Sequence, residues 1–218
     1  PLLLPRGAAL PLELLAWTWF LGGRRARAFA LLGACVCVHA PSAVALGAAL
    51  AAVHLGEKGR LRDLALLPIV AAPVVVPLRL SPAHAAVVQL RLGHHVDVLT
   101  WPTSTFLGAA ALALLLAMGW GRTLPGVRSS CRALLGVMAL GAVGWILRLA
   151  LPVQLELWQA GRFLSIAACV VAADLLAHGR RGPRELAALL LAVGHLLPGA
   201  AVLALSSLRS GPSPDRPP

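Results

Sequence analysis

The residues best equipped for chemistry lie in one stretch, RLGHHVDVLTWP, from Arg91 to Pro102. Arg91 offers a planar fork of donors that suits phosphate or carboxylate. His94 and His95 can donate hydrogen bonds or move protons near neutral pH, and Asp97 can orient one imidazole. Trp101 suits either a sugar-ring platform or an interfacial anchor, and a Trp-Pro pair at the entrance of a membrane span is ordinary aromatic-belt and helix-start chemistry. Two adjacent histidines and an arginine are not needed for insertion, so Arg91, His94 and His95 point to binding.

Two other places carry polar groups amid apolar sequence. His39 stands in His39-Ala40-Pro41, where it either faces a cavity or caps loose carbonyls beside a break. LPVQLELWQAGR, 151–162, places Gln154, Glu156, Gln159 and Arg162 at one end of an apolar run. Glu156 and Arg162 make either a surface pair, worth little, or part of one site with the Arg91 stretch. Asp174 is expected to pair with Arg180 or Arg181, with a proton relay as the alternative. His195 has no second histidine at cross-membrane spacing to share a haem. Cys35, Cys37, Cys131 and Cys169 show no CxxC or Cys/His spacing and read as small buried hydrophobes, so no metal site and no cofactor is expected.

These groups are held by an unusually apolar chain. Of its 218 residues, 59% are hydrophobic and 12% charged, against about 45–50% and about 25% in an ordinary soluble domain. Apolar runs occupy 10–22, 26–55, 64–78, 102–120, 133–151, 157–177 and 186–208, separated by short arginine-bearing segments. The expected fold is therefore all-α: a polytopic transmembrane helical bundle in a cell inner membrane or plasma membrane, crossing it several times. It is expected as one domain over 1–208, the piece of a longer bacterial protein, with no signal-peptide pattern and a disordered tail at 209–218. The net charge of +11 does not imply nucleic acid, because the cations sit in small clusters between apolar runs rather than on one groove with aromatic partners.

A membrane span needs about 20 residues, so 26–55 is too long for one straight helix and short for two full ones. Charge decides between them. A broken or re-entrant hairpin in 26–55 puts Arg24, Arg25 and Arg27 on the same side as Lys58, Arg60 and Arg62, with Arg122, Arg128, Arg132, Arg180, Arg181 and Arg184 joining them there. Arg79, Arg91, Arg148 and Arg162 then fall at the other face. Pro41, which lacks an N–H and disfavours helix at Ala40, supplies the break. Pro68, Pro73 and Pro77 predict a distorted span over 64–78.

Taken together, His39 with Pro41, the Arg91, His94, His95, Trp101, Pro102 pattern, and Gln154, Gln159 and Arg162 resemble a group of bacterial polytopic membrane proteins similar in architecture to GT-C type glycosyltransferases. The likeness covers residues 24–178. It departs from the pattern at Ala40 and at Asp97-Val98, where a proline is expected near the histidines. The resemblance implies a polyprenyl-phosphate-linked sugar as donor and a site on the extracytoplasmic side, with Arg91 and the histidines contacting phosphate or sugar. It also implies an acidic general base in an early outer loop, which the sequence does not display. Broken helices with intramembrane His and Asp equally suit a transporter or permease, and a non-catalytic scaffold is the third class.

Overall fold

The computed structural model describes residues 5–75, 123–147 and 156–178, together with 109–110, 113–114, 116–117 and 119–121. Among these, the chain forms five α-helices and no strand: α1 (Pro5–Leu21), α2 (Arg25–Gly56), α3 (Leu61–Val75), α4 (Pro125–Ile146) and α5 (Ala160–His178), the last preceded by a 3-10 turn at Leu157–Gln159. By length and apolar composition alone, counted end to end, two of the five, α2 and α4, meet the measure of a membrane-crossing helix. Residues up to Thr100 group with Thr123–Ile166 as one compact unit, and Trp101–Arg122 with Ala167–Pro218 as another.

In the first unit α2 is a hairpin rather than a rod. Its backbone leaves the helical region at His39, with φ −151° and ψ 87°, and the chain folds back there. Arg25 reaches Glu57 and His54 across the base of the hairpin, and the Phe29 and His54 rings lie 5.4 Å apart. The proline rule points to Ala40, but the extended residue is one earlier. Pro41 thereby falls in the first turn of the returning arm, where its missing N–H has no intrahelical partner to lose. The arms measure about 21 and 25 Å at 1.5 Å per residue, each short of an apolar bilayer core of about 30 Å.

Small residues let the arms and α3 approach closely, the device that membrane helices use where lipid removes the hydrophobic drive between them. Ala28, Gly33, Ala43, Ala45, Gly47 and Ala49 are all buried in α2. A Cβ on Gly33 would sit 2.7 Å from the Leu67 carbonyl oxygen and 2.8 Å from Val70 Cβ, and one on Gly47 would sit 2.7 Å from Leu67 Cδ1. Leu67 of α3 therefore seats against both arms. α1 closes on the hairpin through the edge-to-face Phe20 and Phe29 rings, 5.9 Å apart, and on the start of α5 through Trp17 and Phe163, 6.2 Å apart.

Several boundaries differ from the sequence expectation. α4 begins at Pro125 rather than 133, because proline is pre-set for a first helical turn and Arg128 and Arg132 are carried in the opening turns. α3 starts at Leu61 and contains Pro68 and Pro73. Most of 102–120, all of 186–208 and the tail lie outside the described residues. In the second unit, Val171 packs where Gly119 has no side chain: a Cβ there would stand 1.9 Å from Val171 Cγ1.

Candidate functional site

The hairpin break sets His39 and Ser42 one turn apart at the start of the returning arm. His39 Nδ1 and Ser42 Oγ are 2.6 Å apart, and Ser42 donates to Glu13 Oε1 of α1 at 2.5 Å. A hydroxyl has one proton. With it given to Glu13, Ser42 Oγ accepts from His39 Nδ1–H, which leaves Nε2 as the basic nitrogen of the imidazole. The relay runs from a half-buried histidine through a buried serine to a carboxylate with no solvent exposure.

Glu13 lies so deep because α1 turns Ala9, Glu13, Ala16, Trp17 and Phe20 inward, all buried, at the i, i+3, i+4, i+7 spacing of one helix face. Its second oxygen, Oε2, is buried with no hydrogen-bond partner among the described residues. Burying a bare carboxylate is costly, and a nearby cation offsets part of that cost. Arg162, in the first turn of α5, interacts electrostatically with Glu13, and the buried Cys35 thiol is also within electrostatic reach of it. Just before Arg162, Gln159 Nε2 donates to Glu156 Oε2 at 2.9 Å, with both side chains buried. Their turn packs on α2 and α4, so Glu156 serves Gln159 in the interior rather than forming a surface pair.

The first unit is polar at two separated levels. One end gathers the hairpin base, with Arg24, Arg25, Arg27, Lys58, Arg60 and Arg62. Gly126 lies beside Leu21 there, 3.0 Å from a built Cβ to Cδ2, which brings Arg128 to the same end. The break at His39, with Ser42, Glu13 and Arg162, lies toward the other. Comparison with family models, curated proteins and solved structures finds no match.

The geometry thus links His39 through Ser42 to Glu13, whose carboxylate interacts electrostatically with Arg162, and packs the Gln159 turn on the same hairpin. Arg91, His94, His95, Asp97 and Trp101 lie outside the described residues. Glu13 and Ser42 were not selected from sequence. A lone carboxylate inside the apolar run 10–22 was the available signal, since ionisable groups at membrane depth are rare and generally face a partner. Ser42 gave no signal, because a serine in an apolar helix commonly bonds its own backbone. Among the described residues, no group of three or more His, Cys, Asp or Glu is arranged to hold a metal ion.

Proposed function

We propose that the chain is a multi-pass membrane protein that transfers a sugar from a polyprenyl-phosphate carrier, with its working centre at the hairpin break. One observation carries this reading: Glu13, Ser42 and His39 form a hydrogen-bonded relay whose carboxylate interacts electrostatically with Arg162. It places an acidic group inside α1 rather than in an outer loop, within electrostatic reach of a cation of the kind that holds phosphate. The membrane placement is supported by α4, which turns Leu135, Leu140, Val143 and Ile146 outward with 48–67% exposure, an apolar face that lipid covers better than water.

In this mechanism His39 Nε2 takes the proton of the acceptor hydroxyl as its oxygen attacks the anomeric carbon. Glu13, through Ser42, stabilises the imidazolium that forms. The bond from the anomeric carbon to the phosphate oxygen breaks, the electron pair leaves with the polyprenyl phosphate, and Arg162 offsets the charge developing on that oxygen. Arg91, His94 and His95 are assigned to the donor's phosphate and sugar, as the resemblance implies. The test uses the purified full chain in lipid nanodiscs with radiolabelled polyprenyl-phosphate hexoses, following release of polyprenyl phosphate. His39→Ala and Arg162→Gln, each confirmed to be folded, should lower the rate at least about a hundredfold. Turnover unchanged in both variants would remove the centre from the reaction.

A second reading is favoured by the burial of Glu13. A carboxylate with no solvent exposure at a break between two short helical arms is also what a proton-coupled transporter places at membrane depth. In proteoliposomes under an imposed pH gradient, this reading expects Glu13-dependent proton flux without sugar release. The transferase reading expects sugar release without a gradient.

A further inference from the structure

At the opposite end of the same unit from His39, the chain forms an open groove of about 560 Å³ lined by Gly23, Arg24, Arg25, Ala26, Arg27 and Asp63. Three arginines face one aspartate there. Arg25 is already committed: it pairs with Glu57, contacts His54 Nδ1 at 3.2 Å and lies 4.8 Å over the Phe20 ring. Asp63 is partly committed too, at 4.0 Å from both His54 Nε2 and Arg62 Nε. Arg24 and Arg27 are exposed and make no ion pair with any described residue.

Two unbalanced guanidinium groups in a concave site call for an anion, and guanidinium forks fit phosphate oxygens in pairs. The surroundings decide which phosphate. Leu21 and Leu61, each two residues from the lining and 40% and 71% exposed, offer apolar surface beside the charge. A free phosphate has no use for leucines, whereas a phospholipid places its headgroup in the groove and its acyl chains along them. We infer that this groove binds the phosphate headgroup of an anionic phospholipid and holds the base of the hairpin at the membrane surface. The site depends on the membrane placement of the unit and not on the transfer chemistry at His39.

The experiment uses the full chain purified in detergent and offered equal phosphatidylglycerol and phosphatidylcholine, with retained lipids identified by native mass spectrometry. The wild-type chain should retain phosphatidylglycerol preferentially, and Arg24→Gln with Arg27→Gln should reduce that preference about tenfold or more. Arg128→Gln, which removes a cation from the same end but outside the groove, should leave it unchanged. An equal preference in the double variant overturns the site, and so does an equal loss in Arg128→Gln, which would assign the effect to total charge. If inorganic phosphate stabilises the wild-type chain against heat as well as phosphatidylglycerol does, while neither lipid is retained, the groove is a phosphate site and the lipid assignment fails. Circular dichroism of each variant separates loss of binding from loss of fold, and the sugar-transfer assay on the double variant, expected unchanged, separates this site from the one at His39.

Discussion

Arg25 and Glu57, 32 residues apart in sequence, form an ion pair; an unbroken helix would hold them about 48 Å apart. Their meeting turns α2 from one long span into two arms with a shared base. In a background with the native cysteines replaced, Arg25→Cys and Glu57→Cys should be joined within one chain by a short bifunctional thiol reagent. A failure to cross-link under conditions that label both thiols would restore the straight helix.

The packing of α3 against the hairpin makes opposite predictions for two glycines. Gly33→Ala drives a Cβ into the Leu67 carbonyl and Val70, a backbone contact that cannot swing aside, and should cost about 1–3 kcal/mol. Gly136, inside α4, has nothing within 4 Å of a built Cβ, so Gly136→Ala should be neutral or stabilise by up to about 1 kcal/mol through helix propensity. Thermal unfolding of both variants in one detergent is the measurement. Equal effects would mean that Leu67 does not seat between the arms.

The hairpin was legible because two different signals agreed. Pro41 marked where helix is hard to continue, and the two arginine groups required that the chain return to the side it left. Register was less legible: proline tolerance in a first turn moved the break to His39 and the start of α4 to Pro125. Glu13 was hidden for a different reason. The sequence shows 10–22 only as an apolar run, and the meaning of its single carboxylate depends on Ser42 and Arg162, which only the fold connects to it. No spacing rule within α1 reveals a partner 29 residues away on another helix.

That relay separates two substitutions at one position. Glu13→Gln keeps the shape and an acceptor for Ser42, and should cost under about 1 kcal/mol of stability. Glu13→Ala strips Ser42 of its acceptor and leaves a cavity in a fully buried place, at a cost of about 2–4 kcal/mol. Detergent-titration unfolding distinguishes them, and an alanine variant as stable as the glutamine one would place Glu13 outside the packed interior. Activity gives the converse separation: glutamine cannot stabilise an imidazolium, so the folded Glu13→Gln chain should lose transfer.

Arg24 sits at the N-cap of α2, where its side chain makes no capping hydrogen bond and a cation opposes the positive end of the helix dipole. Arg24→Asp supplies an acceptor and reverses the charge. It should stabilise the hairpin by about 1 kcal/mol while weakening retention of phosphatidylglycerol. Stability and lipid binding moving in opposite directions is the expected signature. A variant less stable than wild type would show that Arg24 has a structural role.

The four cysteines test the solvent of the surface directly. Cys35 and Cys131 are buried, whereas Cys37, next to the hairpin break, and Cys169, in α5, are exposed. If water bathed these helices, both exposed thiols would react with a charged, membrane-impermeant maleimide and the buried pair would not. In a bilayer the outward side of Cys37 faces acyl chains, where neither the reagent nor the thiolate it needs is stable. Labelling of intact vesicles should therefore spare Cys37, and denaturing the chain in dodecyl sulfate should release all four thiols. Rapid labelling of Cys37 in intact vesicles would mean that the break opens into water, and the transfer and transport mechanisms would then start from an aqueous cavity at His39.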